Sequence, residues 1–305
     1  MSEEEDVVKE EAGDSRESER RSRIAWLAVI TFALLWSNPG VVQAKRTANV
    51  KALVAQLKTC ESLENCAAVA ALLRQKKSFW PELAVGLSDP DEMIRFWTLG
   101  VLSKAPTESA VPSIAERLDD PKIRVRAAAA YALGSLKTAS VVPHLLKALK
   151  DKDLNVRFAA VVAMGRVQNK VFVPALIGAC RDRDEDVRAY AVLALGDIGD
   201  ETALPRLHER LDQDVNAKVR GFVASALAEF KSASSLVPLQ ARMKAEKDAK
   251  ALAAAIYALG ELGVPSAAAH IQPHTSHEDE SVRTYAENAL KKLRGSLPAA
   301  PEPKK

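Results

Sequence analysis

The chain has 305 residues, of which 48% are apolar, 27% charged and only 5% aromatic, and its formal net charge is +3. So few aromatic residues and so mild a charge argue against a surface that binds nucleic acid. The sequence also contains no Walker loop, no dinucleotide-binding glycine fingerprint and no nucleophile elbow.

The first 44 residues are predicted to direct the chain out of the cytoplasm. Residues 1–23 carry nine acidic and five basic residues and are predicted to be disordered. Three arginines then precede an uncharged run, Ile24–Trp36, and a Pro-Gly break leads to a small-residue site ending at Ala44. Residues 24–44 are therefore typical of a secretory signal peptide, with an uncleaved membrane anchor as the alternative. Either case places the rest of the chain in the periplasm or on the outer side of an inner membrane.

Residues 45–86 are predicted to form an irregular cap. Cys60 and Cys66 lie within this cap, and in an oxidising compartment they could form a disulfide. A spacing of six residues is awkward within one helix, so the bond would require a turn between the two cysteines.

A branched apolar residue followed by arginine recurs with a fixed period in the centre of the chain. The steps from Arg95 to Arg188 are 31 residues each, the step to Arg220 is 32, and Arg283 follows 63 residues later. Such a period indicates stacked supersecondary units rather than one globular core. The predicted regular units are 87–117, 118–148, 149–179, 180–210, 211–242 and 243–273.

Each regular unit is predicted to be a helix, a turn and a second helix. An alanine-rich stretch follows each arginine and favours a first helix. Eight residues after the arginine, Gly134, Gly165 and Gly196 either end this helix or let a neighbour approach closely. A proline nine or ten residues later suits the first turn of the second helix. Asp89 and Asp120, each followed by proline, are predicted N-caps.

The arginine column has a predicted acidic partner. An aspartate lies two residues into each of the first four units, and Asp214 holds the shifted place in the fifth, whereas units 56–86 and 243–273 lose both members together. We therefore expect an Asp–Arg ladder, within or between units, that orients neighbouring helices instead of binding a ligand. Its predicted members are Asp89, Arg95, Asp120, Arg126, Asp151, Arg157, Asp182, Arg188, Asp214 and Arg220.

Over residues 56–295, these columns resemble HEAT-like repeats of the short kind named after phycobilisome lyases. The resemblance implies an all-α solenoid over residues 45–295, with degenerate caps at 45–86 and 274–295 and a proline-rich, disordered tail at 296–305. Such a stack offers an extended concave face lined by its second helices, which suits a protein-interaction scaffold or adaptor in the cell envelope. The exposed positions of those helices lean basic, which suits a protein partner with an acidic patch; they are Arg117, His144, Lys147, Arg206, Arg210 and Arg242.

Two alternatives to a scaffold remain open from the sequence. One is a lyase-like or metal-dependent oxidoreductase subunit, because bilin lyases and di-iron deoxyhypusine hydroxylases use similar repeats. The hydroxylases bind iron through His-Glu pairs near the position where this chain has Val-Arg, so His208 and its neighbour Glu209 do not match. The run His270, His274 and His277 is a weak metal candidate, and we expect no bound cofactor. The other alternative is a membrane-tethered structural spacer.

Overall fold

The computed structural model describes residues 49–74 and 80–295, and all regular secondary structure in those ranges is helical. The predicted signal or anchor segment and the C-terminal tail lie outside these ranges. The cap contains α1 (49–56), α2 (Ala67–Leu73) and α3 (Trp80–Leu83). The first helices of the units are α4 (Glu92–Lys104), α6 (Ile123–Leu136), α8 (Leu154–Val167), α10 (Glu185–Ile198), α12 (Ala217–Phe230) and α14 (Ala249–Leu262). The second helices are α5 (Val111–Glu116), α7 (Val142–Ala148), α9 (Val173–Ala179), α11 (Leu204–Gln213), α13 (Leu236–Ala245) and α15 (Ala268–Ile271). The closing helix is α16 (Glu280–Gly295). The predicted all-α repeat array is confirmed.

The aspartates that begin each unit do not cap its first helix, contrary to the prediction. The N-cap lies two residues later, as at Asp91 of α4, whose carboxylate accepts from the backbone N–H of Met93 at 2.8 Å. Asp89 instead accepts from the backbone N–H of Asp91 at 2.8 Å. Two Asx-type bonds in succession thus hold the turn that leads into the helix.

The glycines that recur in the first helices allow close packing between units. A Cβ atom added at Gly134 would lie 2.5 Å from the Cβ of Ala163 in the next unit. The helix continues to Leu136 and ends at Lys137, which adopts a left-handed conformation with φ of 52°. Of the two predicted roles for the glycine, close approach is therefore the one observed.

The core of each unit lies between its first and second helices and continues into the next unit. The branched residue before each ladder arginine is buried, with Val125, Val156 and Val187 fully excluded from solvent. The proline of the second helix occupies its first turn in α5, α7, α9 and α11, where its missing N–H leaves no helical bond unmade. Because every unit packs on its neighbours, the stack has one continuous core.

The closing helix, α16, is amphipathic. Val282, Ala286, Leu290 and Leu293 of α16 are buried against the preceding unit. The remaining positions of this helix are mainly polar or charged and exposed. A polar outer face is typical of the capping element of a solenoid.

Candidate protein-binding surfaces

The predicted ladder exists as a series of arginine–carboxylate pairs between adjacent units. Asp89, a predicted member, is not part of it, because its carboxylate accepts from the backbone N–H of Asp91 and pairs with no arginine in the described ranges. Each arginine donates its Nε and Nη2 groups to both oxygens of one carboxylate, which lies 25 or 26 residues later. The pairs, with the Nε–oxygen distance, are Arg95–Asp120 (2.7 Å), Arg126–Asp151 (2.8 Å), Arg157–Asp182 (2.7 Å), Arg188–Asp214 (2.9 Å) and Arg220–Glu246 (2.7 Å). In this two-point geometry, two parallel hydrogen bonds in each pair fix the orientation of the guanidinium group relative to the carboxylate, as well as the distance between them.

The same guanidinium groups also hold the turns of their own units. The Nη1 group of Arg157 donates to the carbonyl oxygens of Asp151 and Lys152, both at 3.1 Å. Asp182, which accepts from Arg157, also accepts from the backbone N–H of Asp184 at 2.9 Å. Each ladder arginine thus joins its own inter-helix turn to the corresponding turn of the next unit, and this structural role uses four of its five N–H donors.

The pKa is lowered, which favours the charged form, for four ladder carboxylates: Asp120, Asp151, Asp182 and Glu246. Burial alone would raise the pKa of Asp182, but the hydrogen bonds from Arg157 and from the backbone of Asp184 outweigh it, and the pKa is lowered. For Glu246, the effect of burial is likewise outweighed by the hydrogen bonds from Arg220 and from the backbone of Asp248, and the pKa falls to about 2.

The sixth unit departs from the prediction that both ladder members are lost there. It lacks the arginine, which is replaced by Ala251, but Glu246 supplies the carboxylate for Arg220 of the preceding unit. The 32-residue step from Asp214 to Glu246 equals that from Asp182 to Asp214, so continuing this step would have identified it from the sequence. At the other end, Lys58 of the cap pairs with Asp91 at 2.9 Å.

Most of the predicted partner-binding cations on the second helices already have acceptors within the chain. Arg117 donates to the carbonyl of Leu87 at 2.9 Å, and Lys147 to Asp119 at 2.6 Å. Arg242 lies 3.4 Å from the carboxylate of Glu246, four residues later. His144 is half-buried. The side chain of Arg117 is only 21% exposed, whereas Lys147 is 56% exposed.

Arg206 and Arg210 converge on Glu209. Glu209 pairs with both arginines and with Arg181 at 3.3 Å, while Arg210 also lies 3.8 Å from the ladder residue Asp214. Only 17% of the Arg206 side chain and 16% of the Arg210 side chain are exposed. These two arginines are mostly buried and pair within the chain, whereas the predicted Lys147 and the nearby Arg181 are more than half exposed.

The histidine run does not form a metal centre in the described ranges. The ring centroids of His274 and His277 lie 6.3 Å apart, but the Nδ1 of His277 accepts from the backbone N–H of Asp279 at 3.0 Å. His270 contacts Gln240 and the carbonyl of Ser266 instead. Within the part of the chain that the structure describes, no group of three or more histidine, cysteine or acidic residues could hold a metal ion.

The structure also contains an apolar groove that the sequence did not reveal. It has a volume of about 750 Å³ and runs over the first helices of the first three regular units, α4, α6 and α8. Its apolar lining includes Phe96 and Trp97 from α4, Ile123 and Tyr131 from α6, and Phe158 from α8. Ile123 is 44% exposed and Tyr131 40% exposed. Contiguous exposed apolar surface of this kind marks an interaction site more often than isolated apolar residues do.

The structure shows how the cysteines are paired and how long and apolar the helices are. Cys60 and Cys66 form a disulfide across the loop that precedes α2, and Cys180 is a free, buried thiol. Among the helices within residues 49–74 and 80–295, none is long and apolar enough to span a membrane. The segment predicted to be a signal or anchor lies outside those residues.

Comparison with known proteins supports the repeat architecture. A sequence profile of HEAT repeats matches residues 50–134, 111–184 and 173–260. No curated protein matches the chain in sequence. The solved structure of YibA from Escherichia coli is similar at 19% identity and a TM-score of 0.50, covering 77% of this chain and 98% of that one.

Two enzymes have similar solved structures. The CpcE–CpcF complex of phycocyanin lyase from Nostoc shares 23% identity over 75% of this chain and 92% of that one, with a TM-score of 0.46. Human deoxyhypusine hydroxylase shares 19% identity over 84% of this chain and 99% of that one, with a TM-score of 0.38. At these values the similarity concerns the fold and carries no inference about activity.

Proposed function

The chain belongs to the HEAT-repeat family, and from this premise we propose that it is a non-catalytic scaffold that binds a protein partner. The exposed apolar groove over α4, α6 and α8 is the observation that carries the proposal. A concave groove lined by apolar and aromatic side chains, with a few polar groups at its edge, is the usual form of a binding site. Repeat stacks are suited to this task because they present long, continuous surfaces.

The ladder supports this function by making the surface rigid. Each two-point pair, such as Arg126–Asp151, links one unit to the next and restricts their relative rotation. A surface that is rigid before binding loses less conformational entropy when a partner is bound. The ladder therefore contributes to affinity without touching the partner.

The basic residues on the second helices, called the basic stripe below, are a second candidate surface for an acidic partner. Reversing the charges of Arg206 and Arg210 would be an ambiguous test, because both side chains are mostly buried and pair within the chain. Replacing Lys147 and Arg181 with glutamate is cleaner, since these side chains are 56% and 60% exposed.

We place the scaffold outside the cytoplasm, in the periplasm or anchored at the inner membrane. The Cys60–Cys66 disulfide supports an oxidising compartment, and the sequence pattern of residues 24–44 supports export. Alkylation of cells before lysis should leave Cys60 and Cys66 unmodified, and N-terminal sequencing should show a chain that starts at Lys45 or an intact anchor. Two alkylated cysteines would contradict export.

The scaffold proposal is tested by photo-crosslinking in the native cell. A photoreactive amino acid is placed at Ile123 in the groove, at Lys147 on the second helices, and at Thr284 as a control on the polar closing helix. We expect one discrete protein to crosslink from a groove or stripe position and not from Thr284. Absence of a discrete product from both surfaces would favour a structural spacer over a scaffold.

A further inference from the structure

The groove lies where the second and third units carry alanine at a position that is aromatic in the first, fourth and fifth units; the sixth unit also carries alanine there, Ala253. Two positions after the ladder arginine, the first, fourth and fifth units have Trp97, Tyr190 and Phe222. The second and third units have Ala128 and Ala159 at the same position, and both line the groove. The missing bulk leaves a depression bounded by aromatic side chains on each side.

The groove matches a short segment better than a second copy or a small molecule. It crosses three neighbouring helices, and packed helices lie 8–10 Å apart, so its length is roughly 20 Å. A helix of three to four turns has this length. The groove is open to solvent along its course, so a small apolar ligand bound there would keep much of its surface exposed to water. An amphipathic helix would bury its apolar face in the groove and leave its polar face in water.

The rim of the groove is predominantly cationic. Lys122 and Arg124 at the start of α6 are exposed; Lys122 pairs with Glu92 at 3.0 Å, and Arg124 donates to the sulfur of Met93 at 3.1 Å. At the far end, Arg166 lies over the ring of Tyr131 at 4.1 Å. Of the charged residues that line the groove, two are cations, Lys122 and Arg124, and one is a carboxylate, Glu92, and this balance suits an acidic segment.

One buried polar group on the wall lacks a partner. Trp97 is 8% exposed and lines the groove, and its indole N–H has no acceptor among the described residues. A buried indole N–H normally donates a hydrogen bond. The nitrogen is itself excluded from solvent, so a bound segment would reach it only after the side chains of the wall had shifted.

We propose that the groove binds an amphipathic helical segment of a partner protein, with apolar anchors on one face and acidic residues beside them. The anchors lie against Ala128 and Ala159 between the flanking aromatic rings, and the carboxylates pair with Lys122 and Arg124. This inference rests on the proposed scaffold function and specifies the chemistry of its partner.

The test is selection of binders from a random 16-residue peptide library displayed on phage, with the purified full chain as the bait. Binding of the selected synthetic peptides is then measured by fluorescence anisotropy to three variants. Ala128→Tyr fills the groove with the side chain that the fourth unit carries naturally. The double variant Lys122→Glu with Arg124→Glu reverses the rim. Ala254→Tyr is the matched control, because Ala254 is also half-buried on a first helix but lies four units away.

We expect the selected peptides to share apolar residues at helical spacing together with Asp or Glu. Ala128→Tyr should weaken their binding by about tenfold or more. The rim reversal should weaken binding by about tenfold at low salt and reverse the sign of its salt dependence, because salt would then screen a repulsion. Ala254→Tyr should bind as the parent does, and thermal unfolding followed by circular dichroism should show that all variants are folded.

Equal binding by Ala128→Tyr would overturn the inference, and so would selected peptides without acidic residues. Saturable binding of dodecanoate in the groove, with no peptide selected, would identify a small amphiphile as the occupant instead. The crosslinking experiment separates this inference from the scaffold function. A partner that crosslinks from Lys147 but not from Ile123 would refute the groove and leave the scaffold standing.

Discussion

Replacing Arg157 with alanine should destabilise the stack by about 3 kcal/mol. The variant loses two hydrogen bonds to Asp182 and two to carbonyl oxygens of its own turn. It also leaves the Asp182 carboxylate, only 13% exposed, without its cation. Breaking a fully buried pair costs about 3–5 kcal/mol and an exposed pair about 0–1 kcal/mol. The sheltered position of this pair places the expected loss between those limits.

Arg283→Ala is the matched comparison. Arg283 donates to the carbonyls of His277 and Glu278 at 2.7 and 2.8 Å, as the other ladder arginines do in their own turns. Among the described residues, no carboxylate pairs with Arg283. We therefore expect this substitution to cost only about 1 kcal/mol.

Thermal unfolding followed by far-ultraviolet circular dichroism distinguishes the two variants. With about 2–4 °C of melting temperature per kcal/mol for a domain of this size, Arg157→Ala should melt about 6–12 °C below the parent and Arg283→Ala about 2–4 °C below it. Arg157→Lys, which keeps the charge but not the two-point geometry, should lie between Arg157→Ala and the parent. Equal shifts for Arg157→Ala and Arg283→Ala would refute the view that the ladder couples the units.

Three further predictions concern pH, packing and thiol chemistry. The pKa of Glu246 is lowered from 4.5 to about 2 on folding, so its contribution is complete above pH 4.5 and is lost as pH falls towards 2; the melting temperature of the parent should fall over this range more steeply than that of Glu246→Gln. Gly134→Ala should destabilise by about 1–3 kcal/mol in urea unfolding, because its new Cβ would lie 2.5 Å from that of Ala163. Gly178→Ala, whose Cβ would meet nothing within 4 Å, should instead stabilise by about 0.5–1 kcal/mol, and equal losses would contradict the packing argument. Burial raises the pKa of Cys180 to about 12, so iodoacetamide at pH 8 should modify it in urea but not in the folded protein; rapid alkylation without urea would show that this thiol is accessible.

The sequence was sufficient to predict the repeat architecture, because the same residue pattern occurs in several successive units. The spacing of Arg95, Arg126 and Arg157 predicted stacked helical pairs, and the parallel aspartate column predicted the ionic partners. The sequence left open whether these residues pair within or between units. That choice depends on the reach of the arginine across the interface, which puts Arg157 beside Asp182 and not beside the side chain of Asp151.

The candidate surfaces were less accessible to prediction. Arg206 and Arg210 appear as exposed cations in a helical pattern, yet packing buries most of each side chain around Glu209. Conversely, Ala128 and Ala159 appear as ordinary helix formers, and their importance lies in the space that they leave empty.

By itself, the sequence determined the repeat, the helical class and most of the ladder residues, because these depend on local propensity and on periodic spacing along one chain. Only the tertiary structure decided which units each ladder pair connects, which cations remain exposed and where the apolar groove lies. Those properties depend on distances between side chains of different units, such as Ile123 and Phe158, which no single repeat contains.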